Sequence, residues 1–385
     1  MNKNSIIIIA CITMFLAQLG ITMYLPALPM LAKVYVSQPK EISLTLSVFL
    51  IGMCLPTLAW GSLSERYGRK SILLASLSLY ALCCIAIPLT NRIDIFILLR
   101  FLQGVGASGM SVMSRVTIRD HFSGALLAKS LSWLSMAFVV SLGVGQFLGA
   151  ELLAMLGWQA IFFTLASATL LLLLILVKLP SPDAQPTGNS RPFIATYSTL
   201  LHSWAFLLPA LAGGLGYGVI VTFNTCAPFI FQDSLHWSVS EYGLLGWPIS
   251  ISYFIGAWLV NRNVIRKGND FFILLGKTIL LLGCATMLLG GILQLSWLLW
   301  MPYCLAVVGQ AMNYPISMAI ANEKAPITGP YPMALCGFIH QLMAASIGAI
   351  ASMLPGQHIW MTTGMMCLLA IAAFFAFAQS RQTGR

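Results

Sequence analysis

Of 385 residues, 59% are hydrophobic and only 8% are charged, an apolar share above the roughly 45–50% of soluble globular domains. The formal net charge of +10 would suit a nucleic-acid binder, but the 20 cations are spread through short polar breaks between long apolar stretches and form no single basic face. A soluble domain and a nucleic-acid partner are both excluded, and the chain reads as a polytopic membrane protein.

A helix that crosses a bilayer needs about 20 mostly apolar residues, and twelve stretches qualify, at roughly 6–31, 42–60, 72–90, 95–115, 128–150, 160–178, 203–224, 241–260, 271–291, 297–320, 333–353 and 360–379. Their length and short loops, without two-residue alternation, exclude a barrel, so the fold is expected to be all-α. Only Lys3 precedes the first stretch and no small-residue cleavage site precedes Tyr24-Leu25-Pro26, so it reads as a retained span. That stretch carries Met23-Tyr24-Leu25-Pro26-Ala27-Leu28-Pro29.

Between the second and third stretches lies a polar island, Gly61-Ser62-Leu63-Ser64-Glu65-Arg66-Tyr67-Gly68-Arg69-Lys70. Its charges must lie at a membrane surface. Gly61 and Gly68 are expected to permit a sharp reversal between helices, while the acid can sit at a helix N-terminus and the arginines can take carboxylate partners. The fourth stretch holds Leu99-Arg100-Phe101-Leu102-Gln103-Gly104-Val105-Gly106-Ala107, followed by Arg119-Asp120. A charge at the depth of Arg100 is costly unless paired or hydrated, which makes it a functional candidate facing a cavity; the alternative is an arginine that snorkels to the nearby surface. Gly104 to Gly109 spells a dinucleotide fingerprint but follows no strand, so it reads as small-residue helix packing. The fifth stretch contains Ser141-Leu142-Gly143-Val144-Gly145-Gln146-Phe147-Leu148-Gly149-Ala150, and Gly157-Trp158-Gln159-Ala160-Ile161-Phe162 opens the sixth.

Residues 179–202 interrupt the apolar pattern with Pro180, Pro182, Asp183, Pro186, Gly188, Asn189, Arg191 and Pro192. They divide the chain into a first six-helix bundle (1–178), a linker (179–202) and a second six-helix bundle (203–385), the layout of secondary transporters built from pseudo-symmetric halves. The loop at 262–270 holds the island's place in the second half and keeps its basic character only. Counted by loop, fifteen Lys and Arg fall on the side of the island against Lys33, Lys40 and Arg92 on the other, with Arg100 and Lys277 inside spans. The positive-inside bias therefore places both termini in the cytoplasm. Lys277 is expected to snorkel toward that face. The nine cysteines all fall in apolar segments without a Cys-x-x-Cys pair, which reads as buried packing and no metal site.

The island resembles the signature of the major facilitator superfamily, Gly-x-Leu-x-Asp-Arg-x-Gly-Arg-Lys, with Glu65 in place of the acid. The Arg100 segment resembles the drug/proton antiporter pattern of the fourth span. Gly145 and Gly149 match Gly-x-x-x-Gly-Pro-x-x-Gly-Gly of the fifth, where Gln146 replaces the proline, Ser141 a glycine and Ala150 the last glycine. Met23 to Pro29, Arg119-Asp120 and Gly157 to Phe162 are similar to the Bcr/CflA branch. Phe254-Ile255-Gly256-Ala257-Trp258, Asn313-Tyr314-Pro315 and Ala351-Ser352-Met353-Leu354-Pro355 look most like its EmrD-type members.

The resemblance implies twelve transmembrane helices in two six-helix bundles, and proton-driven efflux of amphipathic compounds across a bacterial inner membrane by alternating access, by a monomer that needs no cofactor. It implies a cytoplasmic gate of Gly61, Glu65, Arg66, Gly68, Arg69, Lys70, Arg119 and Asp120, in which Arg69 pairs with Asp120 and Glu65 caps the eleventh span. The alternative cargo is a specific metabolite, nucleoside or siderophore. A substrate cavity is expected from Gln18, Thr22, Tyr24, Arg100, Gln103, Tyr217, Phe223, Asn224, Trp247, Tyr253, Asn313, Tyr314 and His340. Without an embedded carboxylate it would favour neutral or anionic cargo. Many Bcr/CflA relatives carry an Asp where this chain has Thr22, and all ten acids here fall at span ends or in loops. Proton coupling then rests on His340, Arg100, Glu151 or Asp94, with His340 equally readable as a packing residue. Scattered histidines and the absence of a His-Glu-x-x-His run argue against a membrane enzyme.

Overall fold

The computed structural model describes residues 3–122, 124–179, 193–327, 331–354 and 358–382. Twelve helices among them are long and apolar enough to cross a membrane: span 1 Asn4–Val34, span 2 Pro39–Trp60, span 3 Arg69–Leu89, span 4 Ile93–His121, span 5 Met136–Leu156, span 6 Trp158–Lys178, span 7 Trp204–Ser234, span 8 Val239–Val264, span 9 Asn269–Leu293, span 10 Trp297–Glu323, span 11 Tyr331–Ala351 and span 12 Ile359–Gln379. No strand occurs among the described residues. Span 4 is longer than its apolar stretch suggests and carries Arg119 and Asp120 inside its last turns. Of the expected linker, 180–192 lie outside the described residues, while Phe193–Leu201 form a helix whose Leu200 packs on Phe206, Ala210 and Leu335.

The outer faces are apolar. Leu171, Leu174 and Val177 of span 6 and Ile251, Phe254 and Ile255 of span 8 are exposed, the arrangement expected where lipid replaces water as solvent. Polar side chains turn inward instead, and most short hydroxyls in the spans bond to a carbonyl of their own helix, as Ser114 does with Met110 and Thr222 with Gly218.

Chain contacts divide the molecule into two compact units, Met1–Gly188 with Trp237–Trp247, and Asn189–His236 with Pro248–Arg385. In each unit, helices meet through backbone at glycines. A Cβ on Gly52 of span 2 would overlap the Phe101 carbonyl oxygen, and one on Gly104 of span 4 the Phe49 carbonyl oxygen. Gly276 of span 9 and Gly309 of span 10 each abut the other's carbonyl. Such close approach strengthens dispersion contact where lipid removes the usual hydrophobic drive between helices.

The island is not a loop. Its helix runs on from Thr57 to Tyr67 and the next begins at Arg69, so the entire reversal falls on Gly68, at φ +88°. Gly61 lies within the helix and has no part in the turn, which corrects the expectation for that residue. The second unit repeats the device: Gly268, at φ +78°, alone separates the helix ending at Lys267 from span 9. The 262–270 loop thus keeps the reversing glycine as well as the basic character of the island.

Gly104→Val should lower the unfolding temperature of the purified protein by an amount equivalent to about 1–3 kcal/mol, because backbone cannot yield to the added methyls. Gly337→Ala, where a Cβ meets nothing within 4 Å, should leave it unchanged or raise it, and thermal unfolding in detergent compares the two.

Candidate functional site

At the end of the first unit that carries the island, Arg69 donates from Nε to Asp120 Oδ2 at 3.1 Å and from its terminal nitrogen to Ser64 Oγ at 2.6 Å. Arg119 approaches the other carboxylate oxygen at 3.7 Å. Arg69 and Asp120 are 14% and 19% exposed, enough shielding to hold a fixed geometry but not enough to desolvate the charges. Lys70 donates to the carbonyls of Val177 and Leu179, closing the last turn of span 6. Arg66 lies over the Tyr67 ring at 5.4 Å. The Glu65 side chain lies outside the described residues, and so does its expected capping role. A cavity of about 50 Å³ opens beside Arg69 and Lys70, between Ile9, Thr13, Ser114 and Leu176.

Deeper in the same unit, Arg100 has no exposed surface. Its guanidinium lies between two aromatic faces, 3.9 Å from the Tyr24 ring centre and 4.4 Å from that of Phe49, contacts that gain strength when desolvated. One terminal nitrogen donates to the Gly20 carbonyl at 3.1 Å and to Gln103 Oε1, and Gln103 donates onward to Cys84 Sγ. Nε and the other terminal nitrogen have no partner. Both expectations for Arg100 are corrected: it neither snorkels nor is exposed in a cavity, since the covering rings of Tyr24 and Phe49 take that space.

Span 1 explains how Tyr24 arrives there. Its α-helix stops at Thr22, passes through a turn and a short 3₁₀ segment at Leu25–Ala27, and resumes at Leu28. Pro26 and Pro29 lack the amide donors that would continue it. Span 5 seals the break: Gly149 abuts the Met23 carbonyl, and Gly145 abuts Thr22, whose hydroxyl donates to the Ser141 carbonyl at 3.0 Å. Thr22 is therefore committed to helix contact. Gln146, where the family pattern has proline, donates to the Tyr242 carbonyl at 2.9 Å. Trp158 and Phe162 pack edge-on, and Phe162 lies near Tyr24 and Phe96, so the aromatic run before span 6 buttresses the same region. Gln18 is buried.

In the second unit, Tyr314 joins Tyr217 at 5.7 Å between ring centres and His340 at 4.9 Å. His340 is fully buried, with Nε2 3.5 Å from Cys336 Sγ. Gly213 makes room for it, since a side chain there would overlap Ser317 and His340. Phe223 stacks on Tyr303, with 13° between their planes, and is not free to line a cavity. Asn313 is fully buried, and Asn224 and Tyr253 are half-buried. Trp247, which belongs to the first unit, is exposed beside Phe147.

Lys277 is the residue that sequence reasoning misplaced. It is 1% exposed and its Nζ donates to the Ala212 carbonyl at 3.2 Å, beside the Phe377 ring. It points into the unit instead of snorkelling out, because Gly276 lets span 9 lie directly on span 10 and leaves no outward route along that face. Of the acids considered for proton exchange, Asp94 is exposed and ion-paired to Arg92, and Glu151 is half-buried in span 5. No group of histidines, cysteines and acids suited to a metal ion occurs among the described residues.

A twelve-span all-α bundle with a charged one-glycine reversal after span 2 defines a secondary membrane transporter. Residues 10–329 match the family model of the Major Facilitator Superfamily, and the chain belongs to that family. It is 25% identical to a bicyclomycin resistance protein homolog of Haemophilus influenzae, over 94% of this chain and 93% of the relative. It is 24% identical to multidrug resistance protein D of Escherichia coli, over 88% and 86%. Among solved structures, a D-xylose-proton symporter superposes with a TM-score of 0.79 at 15% identity, covering 96% of this chain and 97% of that one, a likeness of fold. The chain is thus a transporter and not an enzyme, and its relatives include drug-resistance transporters of the Bcr/CflA kind.

Arg100→Lys should destabilise the purified protein by roughly 2 kcal/mol, because an ammonium cannot lie flat between two rings and still reach Gly20 and Gln103. Arg69→Lys, at a partly exposed pair, should change it by under about 1 kcal/mol. Thermal unfolding of both variants measures the contrast.

Proposed function

We propose that this protein exports amphipathic, neutral or anionic compounds from the bacterial cytoplasm by alternating access, driven by inward proton flow, as an inner-membrane monomer with both termini in the cytoplasm. It needs no cofactor on this reading; the proton gradient supplies the energy. The similarity to resistance proteins supports drug-like cargo. The observation that carries the charge class is Arg100, a buried cation without a carboxylate partner among the described residues, enclosed by aromatic faces. Through the covering rings, its fixed positive charge disfavours cationic cargo in the first unit relative to neutral or anionic cargo.

The Arg69–Asp120 pair supports a gate on this reading. It joins the first turn of span 3 to the last turn of span 4 on the basic, cytoplasmic side, where charge-assisted geometry favours one conformational state over another. Gly68 gives the reversal a fixed shape, and Lys70 ties span 6 to it.

Everted membrane vesicles test the cargo and its driving force. Uptake of chloramphenicol should collapse when a protonophore is added, and excess fluorescein should compete while ethidium should not. Uptake indifferent to the protonophore removes proton coupling. Competition by a single metabolite, nucleoside or siderophore alone would establish the narrower cargo. Separately, Asp120→Asn should raise the labelling rate of single-cysteine reporters on the cytoplasmic side severalfold, and unchanged rates would remove the gate.

A further inference from the structure

Span 10 presents a polar stripe, Gln310, Asn313 and Ser317, to the interior of an otherwise apolar unit. Positions three and four residues apart share one helix face. Gln310 is 2% exposed and Asn313 0%, yet neither end of either amide has a hydrogen-bond partner. Three glycines of the neighbouring helices make room for the stripe. A side chain on Gly216 would overlap Gln310, one on Gly276 would crowd Asn313, and one on Gly213 would overlap Ser317 and His340. Unpaired buried amides are expensive in a structural core, where apolar residues of the same size pack without penalty. Their retention calls for a group that uses them.

Lys277 stands next to Gly276. Its environment is Ala212, Ile273, Met312 and Phe377, and one backbone carbonyl is the acceptor given to Nζ. The described ion pairs, Arg69–Asp120, Arg92–Asp94 and Arg119–Asp120, leave it without a carboxylate. An ammonium so placed carries a desolvation penalty of several kcal/mol. Arg100 cannot exchange a proton, since guanidinium stays protonated throughout.

We propose that Lys277 carries the exchanged proton, with the unpartnered Asn313 and Gln310 oxygens turning to accept the ammonium's hydrogen bonds. This rests on the proton-coupled reading above and names its site. The step is a reversible transfer of one proton to the lone pair of Nζ, with no other bond made or broken.

The groups that face Lys277 set its pH response. Span 7 offers the Ala212 carbonyl, and span 12 the Phe377 ring and, further along, Cys367. Span 10 offers Tyr314, with Glu323 at its end. Span 11, behind span 7, offers the buried His340. On span 9 itself, Asp270 lies seven residues before Lys277 and Cys284 seven after it. Like charges on His340 and Lys277 would oppose each other.

Chloramphenicol binding to the purified protein in detergent, measured against pH, tests the assignment. If one proton leaves on binding, affinity should rise by up to about tenfold per pH unit in the wild type. Lys277→Gln should flatten that slope and abolish the proton released on adding chloramphenicol to a weakly buffered sample, while His340→Gln should keep both. Lys277→Arg, permanently charged, should also be flat and serves if the glutamine variant does not accumulate. A wild-type slope that survives in both Lys277 variants overturns the assignment and leaves proton coupling standing. Its loss in His340→Gln alone moves the site to His340. A flat wild-type profile overturns the coupled reading itself.

Discussion

Backbone meets backbone in this protein, and the rest of the structure depends on that closeness. Lipid tails are as apolar as leucine, so burying large side chains between spans gains little over leaving them in the bilayer. Glycine solves this by shortening the distance over which dispersion acts. The reciprocal contact of Gly52 and Gly104 brings span 2 onto span 4, and that of Gly276 and Gly309 brings span 9 onto span 10. What the close approach encloses is polar: Arg100 one turn before Gly104, Lys277 one residue after Gly276, and Asn313 one turn after Gly309. Helices that touch so tightly leave a long cationic side chain no path to either surface, so its charge must be met from within.

The two buried cations are met differently. Arg100 keeps its charge under all conditions and receives two π faces, a carbonyl and an amide oxygen. Lys277 receives one carbonyl in an aliphatic and aromatic surround. A fixed cation needs permanent stabilisation, and Arg100 has it; Lys277 has far less. The chemistry of each side chain and the quality of its enclosure therefore agree.

Depth was legible in the sequence, and direction was not. Hydropathy located all twelve spans to within a few residues at most ends, and the family resemblance, not the spacing of charges, implied the pairing of Arg69 with Asp120. The signature's glycines were also visible, but which of them turns the chain was not: Gly61 and Gly68 look alike in a string of letters, and only the positive φ of Gly68 separates them. Gly268 was overlooked because its flanking residues differ, although the backbone needs the same conformation there. Lys277 was misplaced for a related reason. Counting residues from the helix start gives distance from the surface, but not the face of the helix, and the face decides whether a lysine can bend outward.

Thr22 shows how a missing residue can be understood through its surroundings. The Bcr/CflA resemblance implies a carboxylate at this position, where a proton could come and go. Here Gly145 lies against the Thr22 hydroxyl, which is bonded to the Ser141 carbonyl, and Gly149 covers the broken helix one residue further on. The position is a packed contact between spans 1 and 5. An acid there would lose this contact and bury a charge. With that position packed shut in the first unit, the buried bases of the second, Lys277 and His340, are where an exchangeable proton is to be sought.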